Sequence, residues 1–241
     1  MEVTTKAIAI SATDYKENDK YILLYSLEYG KISVLARGIR KASAKLRFAA
    51  DQFCFGQYEL ALTGDRFTLK TCDQLESFYS LRTDILSYYA ACTIAESLMN
   101  YTEEGLSEPE LFIETLKALK ALSCGINPLL VTLRYMLKFF EIDGLKLQLD
   151  NCISCGSSAK RFYLNLQRGG FVCDNCREAD NTAVSMRAHS CCKMVENISY
   201  DRIPNINVSN DAVKEALTVC FKYISRSGFP LKSLNELIKL S

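Results

Sequence analysis

Residues 21–48 read YILLYSLEYGKISVLARGIRKASAKLRF, and this stretch decides the fold. Its first part, residues 21–27, is rich in aromatic and branched aliphatic residues, which favours a β-strand. A turn at Tyr29 and Gly30 leads into a second run of the same kind, residues 31–36. The stretch therefore predicts a β-hairpin that continues into a loop.

That loop is basic. Between Glu28 and Asp51 the chain has no acidic residue but six cations: Lys31, Arg37, Arg40, Lys41, Lys45 and Arg47. Uncompensated positive charge beside a sheet attracts a phosphate backbone. The other interpretation is a solvated loop whose charges only keep the protein in solution. Composition alone leaves both open, because segments rich in lysine and arginine are common. The net charge of the whole chain is only +1, but the distribution of the charges matters more than their sum.

Three more β-rich runs complete the first 80 residues, at 3–10, 53–62 and 67–75. Five short antiparallel strands in so few residues predict a small closed barrel, and an OB-fold has this strand count. The fold class is therefore α+β, with an N-terminal five-stranded OB-fold barrel followed by a mainly α-helical domain.

Helical periodicity begins near residue 81. We predict helices over 85–99, from a capping box at Ser107 and Glu110 to Gly125, and from Asn127 to about Ile142. Three more are predicted over 186–197, after Ser209, and over 234–240. The predicted domains are residues 1–80 and 81–241, with a zinc-binding insertion at 150–180.

Four of the eleven cysteines form a C-x2-C-x17-C-x2-C pattern: Cys152, Cys155, Cys173 and Cys176. This is the spacing of a four-thiolate zinc site, and the intervening residues suggest a hairpin that brings the two pairs together. Four thiolates close the coordination shell, so we predict a structural Zn²⁺ site with a zinc-knuckle or ribbon form. A redox pair is the rival interpretation, although it needs only one C-x2-C.

Other motifs are missing from the sequence. It has no phosphate-binding glycine loop, no dinucleotide fingerprint and no H-E-x-x-H, and His189 is its single histidine. We therefore expect no enzymatic activity. No run approaches the roughly 20 apolar residues of a membrane span, and the chain opens on polar residues, so we expect a cytoplasmic protein without a membrane partner.

Several segments closely resemble the RecO family of bacterial recombination-repair mediators. They are residues 14–19 (DYKEND), 36–41 (ARGIRK) with Ser43, 133–140 (LRYMLKFF) leading through Gly144 to the four cysteines, and 230–233 (PLKS). The resemblance covers essentially the whole chain. Some members of this family lack the cysteines, whereas this chain has all four.

The resemblance implies an OB-fold, a helical domain and an embedded zinc knuckle. It also implies a non-catalytic protein, monomeric alone and associated with the nucleoid, that binds single- and double-stranded DNA and anneals complementary strands. The implied protein partners are RecR, the acidic C-terminal tail of single-strand DNA-binding protein and, indirectly, RecA.

The positive run and the RecO-like segment coincide, which makes its cations the candidate DNA contacts: Arg37, Arg40, Lys41, Lys45 and Arg47, with Lys31 beside them. Bases would stack on tyrosine or phenylalanine, since the chain has no tryptophan. The candidates are Tyr21, Tyr25, Tyr29 and Phe48, although most of these are expected in the barrel core.

A second candidate surface, for an acidic peptide, comprises Arg134, Lys138 and Phe139. Two other interpretations remain: a zinc-stabilised interaction scaffold that never binds nucleic acid, and an enzyme that uses zinc chemistry.

Overall fold

The computed structural model describes residues 1–158 and 161–241. The chain folds into two compact units. The first comprises Met1–Thr83 with Ala95–Ile113, and the second comprises Asp84–Ile94 with Glu114–Ser241. In the described part of the chain, no helix is long and apolar enough to cross a membrane.

Five strands form a closed barrel in the first unit: β1 (Glu2–Tyr15), β2 (Asp19–Ser26), β3 (Gly30–Ala36), β4 (Phe55–Thr63) and β5 (Arg66–Glu76). The order around the barrel is β1-β2-β3-β5-β4, closed by antiparallel pairing of β4 with β1. Only β3 and β5 pair in parallel. The predicted five-stranded OB-fold barrel is confirmed.

The barrel interior follows the alternation of each strand. Ile22 and Leu24 of β2 and Val34 of β3 are fully buried. Tyr58 of β4 is also buried, and its hydroxyl donates a 3.0 Å hydrogen bond to the carbonyl of Ala49, so its polar atom is satisfied.

The segment after α1 (Ile85–Tyr101) packs on the turn between β2 and β3, within the first unit. Gly30 has a φ of 59°, and a Cβ there would lie 1.9 Å from the carbonyl oxygen of Leu106, so both the backbone and the contact require glycine. The Ser107 hydroxyl donates to the Leu27 carbonyl at 2.7 Å. This bond ties the segment to the residue that follows β2, and α2 begins at Pro109. The capping box at Ser107 and Glu110 stays a prediction, since a hydroxyl that donates to Leu27 can still accept a bond from the helix.

The second unit contains α3 (Pro128–Ile142), α4 (Met186–Val195), α5 (Asn210–Ser225) and α6 (Lys232–Leu240). α2 (Pro109–Ser123), like α1, contributes residues to both units. The α3 helix starts as predicted: the Asn127 side chain accepts hydrogen bonds from Leu129 N and Leu130 N. α3 packs against α4 and α5, and its Tyr135 and Phe140 are fully buried.

A small sheet carries the cysteine segment in the second unit. It has the order β7-β6-β8, with β6 (Phe162–Asn165), β7 (Gly170–Val172) and β8 (Thr182–Val184). The β6–β7 hairpin was predicted, whereas β8 was not, because three residues give no detectable alternation.

Several boundaries also differ from the prediction. β1 continues to Tyr15 because its polar, exposed end still pairs with β2. β4 begins at Phe55, since Phe53 has a left-handed backbone with φ 72°. At the other end of the chain α4 ends at Val195 and α6 starts at Lys232.

Candidate nucleic-acid interface and cysteine cluster

The basic loop, residues 37–47, is anchored to the barrel. Ile39 is buried in the barrel core. The Gly38 N–H donates to the Asp19 carboxylate at 2.7 Å, and the Arg40 N–H donates to the Asn18 carbonyl at 3.0 Å. Both acceptors belong to or adjoin the turn between β1 and β2, so that turn holds the loop in place.

The predicted cations of this loop are exposed: Arg37, Arg40, Lys41, Lys45 and Arg47. Arg40 lies 3.2 Å from Asp14, which also pairs with Lys20 at 2.9 Å. The hydrogen bond from Lys20, with the charge of Arg40 beside it, lowers the pKa of Asp14. Across residues 1–158 and 161–241, no carboxylate lies within 4.0 Å of the Arg37, Lys41 or Lys45 side-chain nitrogens.

Ile39 lines two clefts. The larger, about 460 Å³, is lined by the cations Arg37, Lys45 and Lys70. The smaller, about 300 Å³, is lined by Lys20, Arg40 and Arg47 together with Asp51. Lys70 on β5 and Lys20 on β2 were missed by sequence reasoning, because pairing of distant strands is what brings them to the loop. This arrangement can bind extended anionic ligands.

Lys31 lies apart from this set. Its ammonium donates to the carbonyls of Met99, at 2.7 Å, and Thr102 near the end of α1. Burial lowers the pKa of Lys31. Because the side chain is engaged with a helix end, we remove Lys31 from the candidate DNA contacts.

The four aromatic stacking candidates differ in burial. Tyr25 is fully buried, and Tyr29 and Phe48 pack against the barrel core, as expected for most of the set. Tyr21 is exposed and pairs with Tyr15, which sequence reasoning did not single out, at 4.7 Å between ring centroids.

The four predicted cysteines come together in the second unit. The sulfurs of Cys152, Cys155, Cys173 and Cys176 all lie within 4.8 Å of one another. Cys155 Sγ and Cys173 Sγ are 3.8 Å apart. The turn after Cys152 is closed by its carbonyl, which accepts from Gly156 N at 2.8 Å, and the Cys173 carbonyl accepts from Cys176 N at 3.0 Å.

The hairpin fixes these two turns relative to each other. Ile153 N donates to the Phe171 carbonyl of β7 at 2.9 Å. Arg168, in the β6–β7 turn, donates to the Ile153 carbonyl at 2.8 Å and to the Ser154 hydroxyl at 2.6 Å. The site is therefore assembled by backbone and side-chain hydrogen bonds of the cysteine segment itself.

The thiol pKa values of Cys152 and Cys176 are shifted in opposite directions. Burial opposes ionisation of Cys152, yet backbone N–H groups of Cys173, Cys155 and Ser154 lower its pKa to about 6. Hydrogen bonds with Cys155 and Cys173 raise the pKa of Cys176 to about 12. Four sulfurs this close together could hold a metal ion, whose positive charge would compensate that of thiolates.

The second predicted surface is only partly assembled. Arg134 is nearly buried: its Nε donates to the Ile198 carbonyl at 2.8 Å and its Nη1 lies 3.2 Å from Glu114. Lys138 instead pairs with Glu141 at 3.0 Å. Phe139 is fully buried in the helical core, so its prediction as a partner contact is wrong.

Arg134 does line a cleft of about 690 Å³ within the second unit. Its walls combine apolar side chains with two lysines from α2 and two acidic residues: Leu116, Ala121, Ile126, Ile198, Lys117, Lys120, Glu114 and Asp201. The sequence places both lysines on the polar face of α2. It does not show that they lie near Arg134, because they are distant from it along the chain.

Comparison with known families covers nearly the whole chain. The family model described as "Recombination protein O N terminal" matches residues 1–80, and "Recombination protein O C terminal" matches residues 82–235. The chain belongs to the RecO family. The resemblance seen in the sequence is thereby confirmed, and the family's role is in DNA repair and recombination.

Among similar RecO proteins, the DNA repair protein RecO of Clostridium novyi (strain NT) is 30% identical over 225 residues, covering 92% of this chain and 88% of that protein. The DNA repair protein RecO of Bacillus subtilis (strain 168) is 28% identical over 231 residues, covering 95% and 91%. That of Listeria monocytogenes serovar 1/2a is 29% identical over 233 residues, also covering 95% and 91%. The similarity therefore extends through the barrel, the helices and the cysteine segment.

Proposed function

We propose that this RecO family member is a non-catalytic recombination mediator that binds single- and double-stranded DNA through its basic loop. The observation that carries the proposal is the set of exposed cations on an anchored loop of an OB barrel: Arg37, Arg40, Lys41, Lys45 and Arg47. OB barrels bind single strands by following the backbone with positive charge. With RecR, it would promote RecA loading on single strands coated by single-strand DNA-binding protein. A cytoplasmic, nucleoid-associated location accompanies this role.

Phosphate contacts make DNA affinity depend on salt. If each of the five cations neutralises one phosphate, the log–log slope of affinity against salt on single strands is about −3.5. Annealing follows from the same neutralisation, since two bound strands repel each other less. A protein that binds both strands but anneals them no faster than free DNA would contradict the annealing proposal.

The test is fluorescence anisotropy with fluorescein-labelled single-stranded DNA across a salt series. The Arg40→Glu/Lys41→Glu variant should bind more weakly, with a slope shallower by about 1.4. Lys214→Glu/Lys222→Glu, on α5 of the second unit, makes the same change in net charge outside the candidate interface residues and serves as the control. Equal losses in the two variants would show that the loop is not the DNA site, and absence of binding at low salt would favour a scaffold without nucleic acid.

The cysteine cluster fits a zinc ion by geometry as well as by donor type. Zn–S bonds of about 2.3 Å in a tetrahedron place the sulfurs roughly 3.8 Å apart, the separation of Cys155 and Cys173. Bound zinc would link the two cysteine turns, and four thiolates leave it no open position for catalysis. The role we propose is therefore structural.

The cleft beside Arg134 supports a second binding role. An acidic peptide that ends in an apolar residue suits its mixed walls, because the carboxylates would meet the exposed Lys117 and Lys120 while the apolar residue enters the cleft beside Arg134. We propose that it receives the C-terminal tail of single-strand DNA-binding protein.

Titration with a fluorescein-labelled acidic peptide ending in phenylalanine tests this role. Lys117→Glu/Lys120→Glu should weaken binding at least about ten-fold, and amidating the peptide's C-terminus should weaken it in wild type. Retained affinity in the variant would reject the cleft as the peptide site. Lys214→Glu/Lys222→Glu again controls for net charge.

A further inference from the structure

Two exposed tyrosines lie side by side on the outside of the barrel. Thr13 pairs with Tyr21 and Tyr15 with Asp19, so Tyr15 and Tyr21 are diagonal neighbours on one face of β1 and β2. Their ring centroids are 4.7 Å apart and their planes are inclined by 57°. The two residues are 36% and 37% exposed. The hairpin thus presents a continuous aromatic surface to solvent.

Two other aromatic side chains of the β2–β3 hairpin, Tyr25 and Tyr29, are used in packing. Tyr25 shares the outer face of β2 with Tyr21, but it is fully buried and its ring packs 6.2 Å from that of Phe112. Tyr29 packs against Phe67 at 5.6 Å. Within the described residues, Tyr15 and Tyr21 have no aromatic neighbour except each other. Packing of the barrel therefore does not account for their position.

Two cations, Lys16 and Arg40, lie on the Tyr15 side of the pair. Lys16 Nζ lies 5.2 Å from the Tyr15 ring centroid. Arg40 donates to the Lys16 carbonyl at 3.3 Å, and it pairs with Asp14, the residue preceding Tyr15. The aromatic surface therefore adjoins the basic loop, where we place the phosphates.

We propose that Tyr15 and Tyr21 form a stacking platform for an unpaired base of single-stranded DNA whose phosphates contact the basic loop. The inference rests on the proposed DNA-binding function and adds the element that would select single strands. Base faces are accessible in a single strand, whereas in a duplex they are covered by neighbouring base pairs. Strands 2 and 3 and the loop between strands 1 and 2 are the general oligonucleotide-binding face of OB-folds, which agrees with this position.

The first measurement uses tryptophan as a reporter, since the chain has none. Tyr21→Trp keeps an aromatic ring in place, and a base stacking on the indole should quench its emission when oligo(dT) binds. Duplex DNA should bind with little quenching. Oligo(dT) binding detected by anisotropy without quenching would overturn the platform.

The second measurement compares affinities of paired variants. Tyr15→Leu/Tyr21→Leu keeps apolar side chains but removes both rings, and it should weaken oligo(dT) binding about ten-fold while leaving duplex affinity and the salt slope unchanged. Tyr15→Phe/Tyr21→Phe keeps the rings and should bind like wild type. Tyr79→Leu removes an exposed tyrosine outside the hairpin and is the control.

The outcomes separate this inference from the function on which it rests. Equal losses on oligo(dT) and duplex in the leucine pair, no loss on either, or the same loss in Tyr79→Leu would each reject the platform. Failure of the wild type to bind oligo(dT) at low salt would instead reject the DNA-binding function itself.

Discussion

His189 lies inside the second unit and is 4% exposed. Its Nε2 is 2.7 Å from the Leu149 carbonyl, to which it donates, and its ring stacks on Phe162 at 4.0 Å between centroids. Burial lowers the pKa of His189, and nearby Lys193 acts in the same direction, opposed by the hydrogen bond to Leu149 and by Asp150. A neutral imidazole is therefore part of the packed structure.

This burial predicts acid sensitivity. Between the lowered pKa of the folded state and the ordinary value near 6.5, the unfolded chain binds a proton that the folded chain does not. The contribution of His189 to the free energy of unfolding should therefore be constant above that ordinary pKa and fall as the pH decreases below it, by at most about 1.4 kcal/mol per pH unit.

Urea denaturation of wild type and His189→Gln between pH 5 and 7.5 measures the effect. Both proteins lose other acid-sensitive interactions equally, so the difference in slope isolates the histidine. Identical slopes in the two proteins would contradict the assignment.

At the same scale, individual residues show what a sequence cannot reveal. The five loop cations were predicted and are exposed, because a local run of charge has few ways to be buried. Lys31 and Phe139 also had side chains of the right chemical type for the predicted DNA and peptide contacts, but in the fold both are engaged elsewhere. Lys31 bonds to carbonyls about 70 positions along the chain, and Phe139 faces the core. Such contacts are set by tertiary packing.

At the scale of elements, the β1–β2 hairpin contacts the basic loop and holds it in place. The hairpin brings Asp14 to Arg40 and Asp19 to the Gly38 N–H. The sequence shows a run without acids, whereas the folded chain places two carboxylates beside it. These acids order the loop and also reduce its positive potential.

This second effect can be tested with Asp14→Asn. The substitution removes a negative charge next to Arg40 and Lys20, so we expect single-stranded DNA affinity to rise about three-fold at low salt, with the gain shrinking as salt screens the charge. Glu236→Gln removes the same charge beside Lys239, at 2.7 Å on α6, and is the matched control because neither residue belongs to the candidate interface. Anisotropy titrations that give the same gain for both variants would show that the effect of Asp14 is not local.

Strong, long patterns were the reliable predictors of elements. The barrel strands and α3, with its Asn127 cap, follow from alternation and capping chemistry. The short β8 and the actual partner of Ser107 do not, because both depend on residues distant in sequence. The cysteine cluster was the most predictable site, since spacing alone specifies which side chains must meet.

At the scale of the whole molecule, the two units do not coincide with consecutive halves of the chain. Residues 95–113 group with the barrel, where Phe112 packs near Tyr25 and Phe55. The boundary after residue 80 stays a prediction for folding domains, as does the insertion at 150–180. The basic loop and the cysteine cluster nevertheless belong to different units.

This separation leads to the last prediction, on metal removal. If the cluster binds the zinc we propose, removing it with a chelator, or replacing Cys155 with serine, should lower the thermal midpoint by roughly 10 °C, because the metal would link the cysteine turns and contribute several kcal/mol to folding. Affinity for single-stranded DNA, measured below the lowered midpoint, should stay unchanged, because the proposed contacts lie on the barrel. Cys124→Ser, an exposed cysteine outside the cluster, controls for loss of a thiol.

The two readouts separate the roles of the units. A lowered midpoint with intact DNA affinity assigns stability to the zinc segment and DNA binding to the barrel. If affinity falls in step with zinc content while the barrel stays folded, the prediction fails, and cations of the cysteine segment, such as Arg168 and Arg177, must share the DNA site. Because Arg168 already donates to Ile153 and Ser154 within the cysteine segment, it would have to give up those bonds to reach a phosphate, and we expect it to keep them.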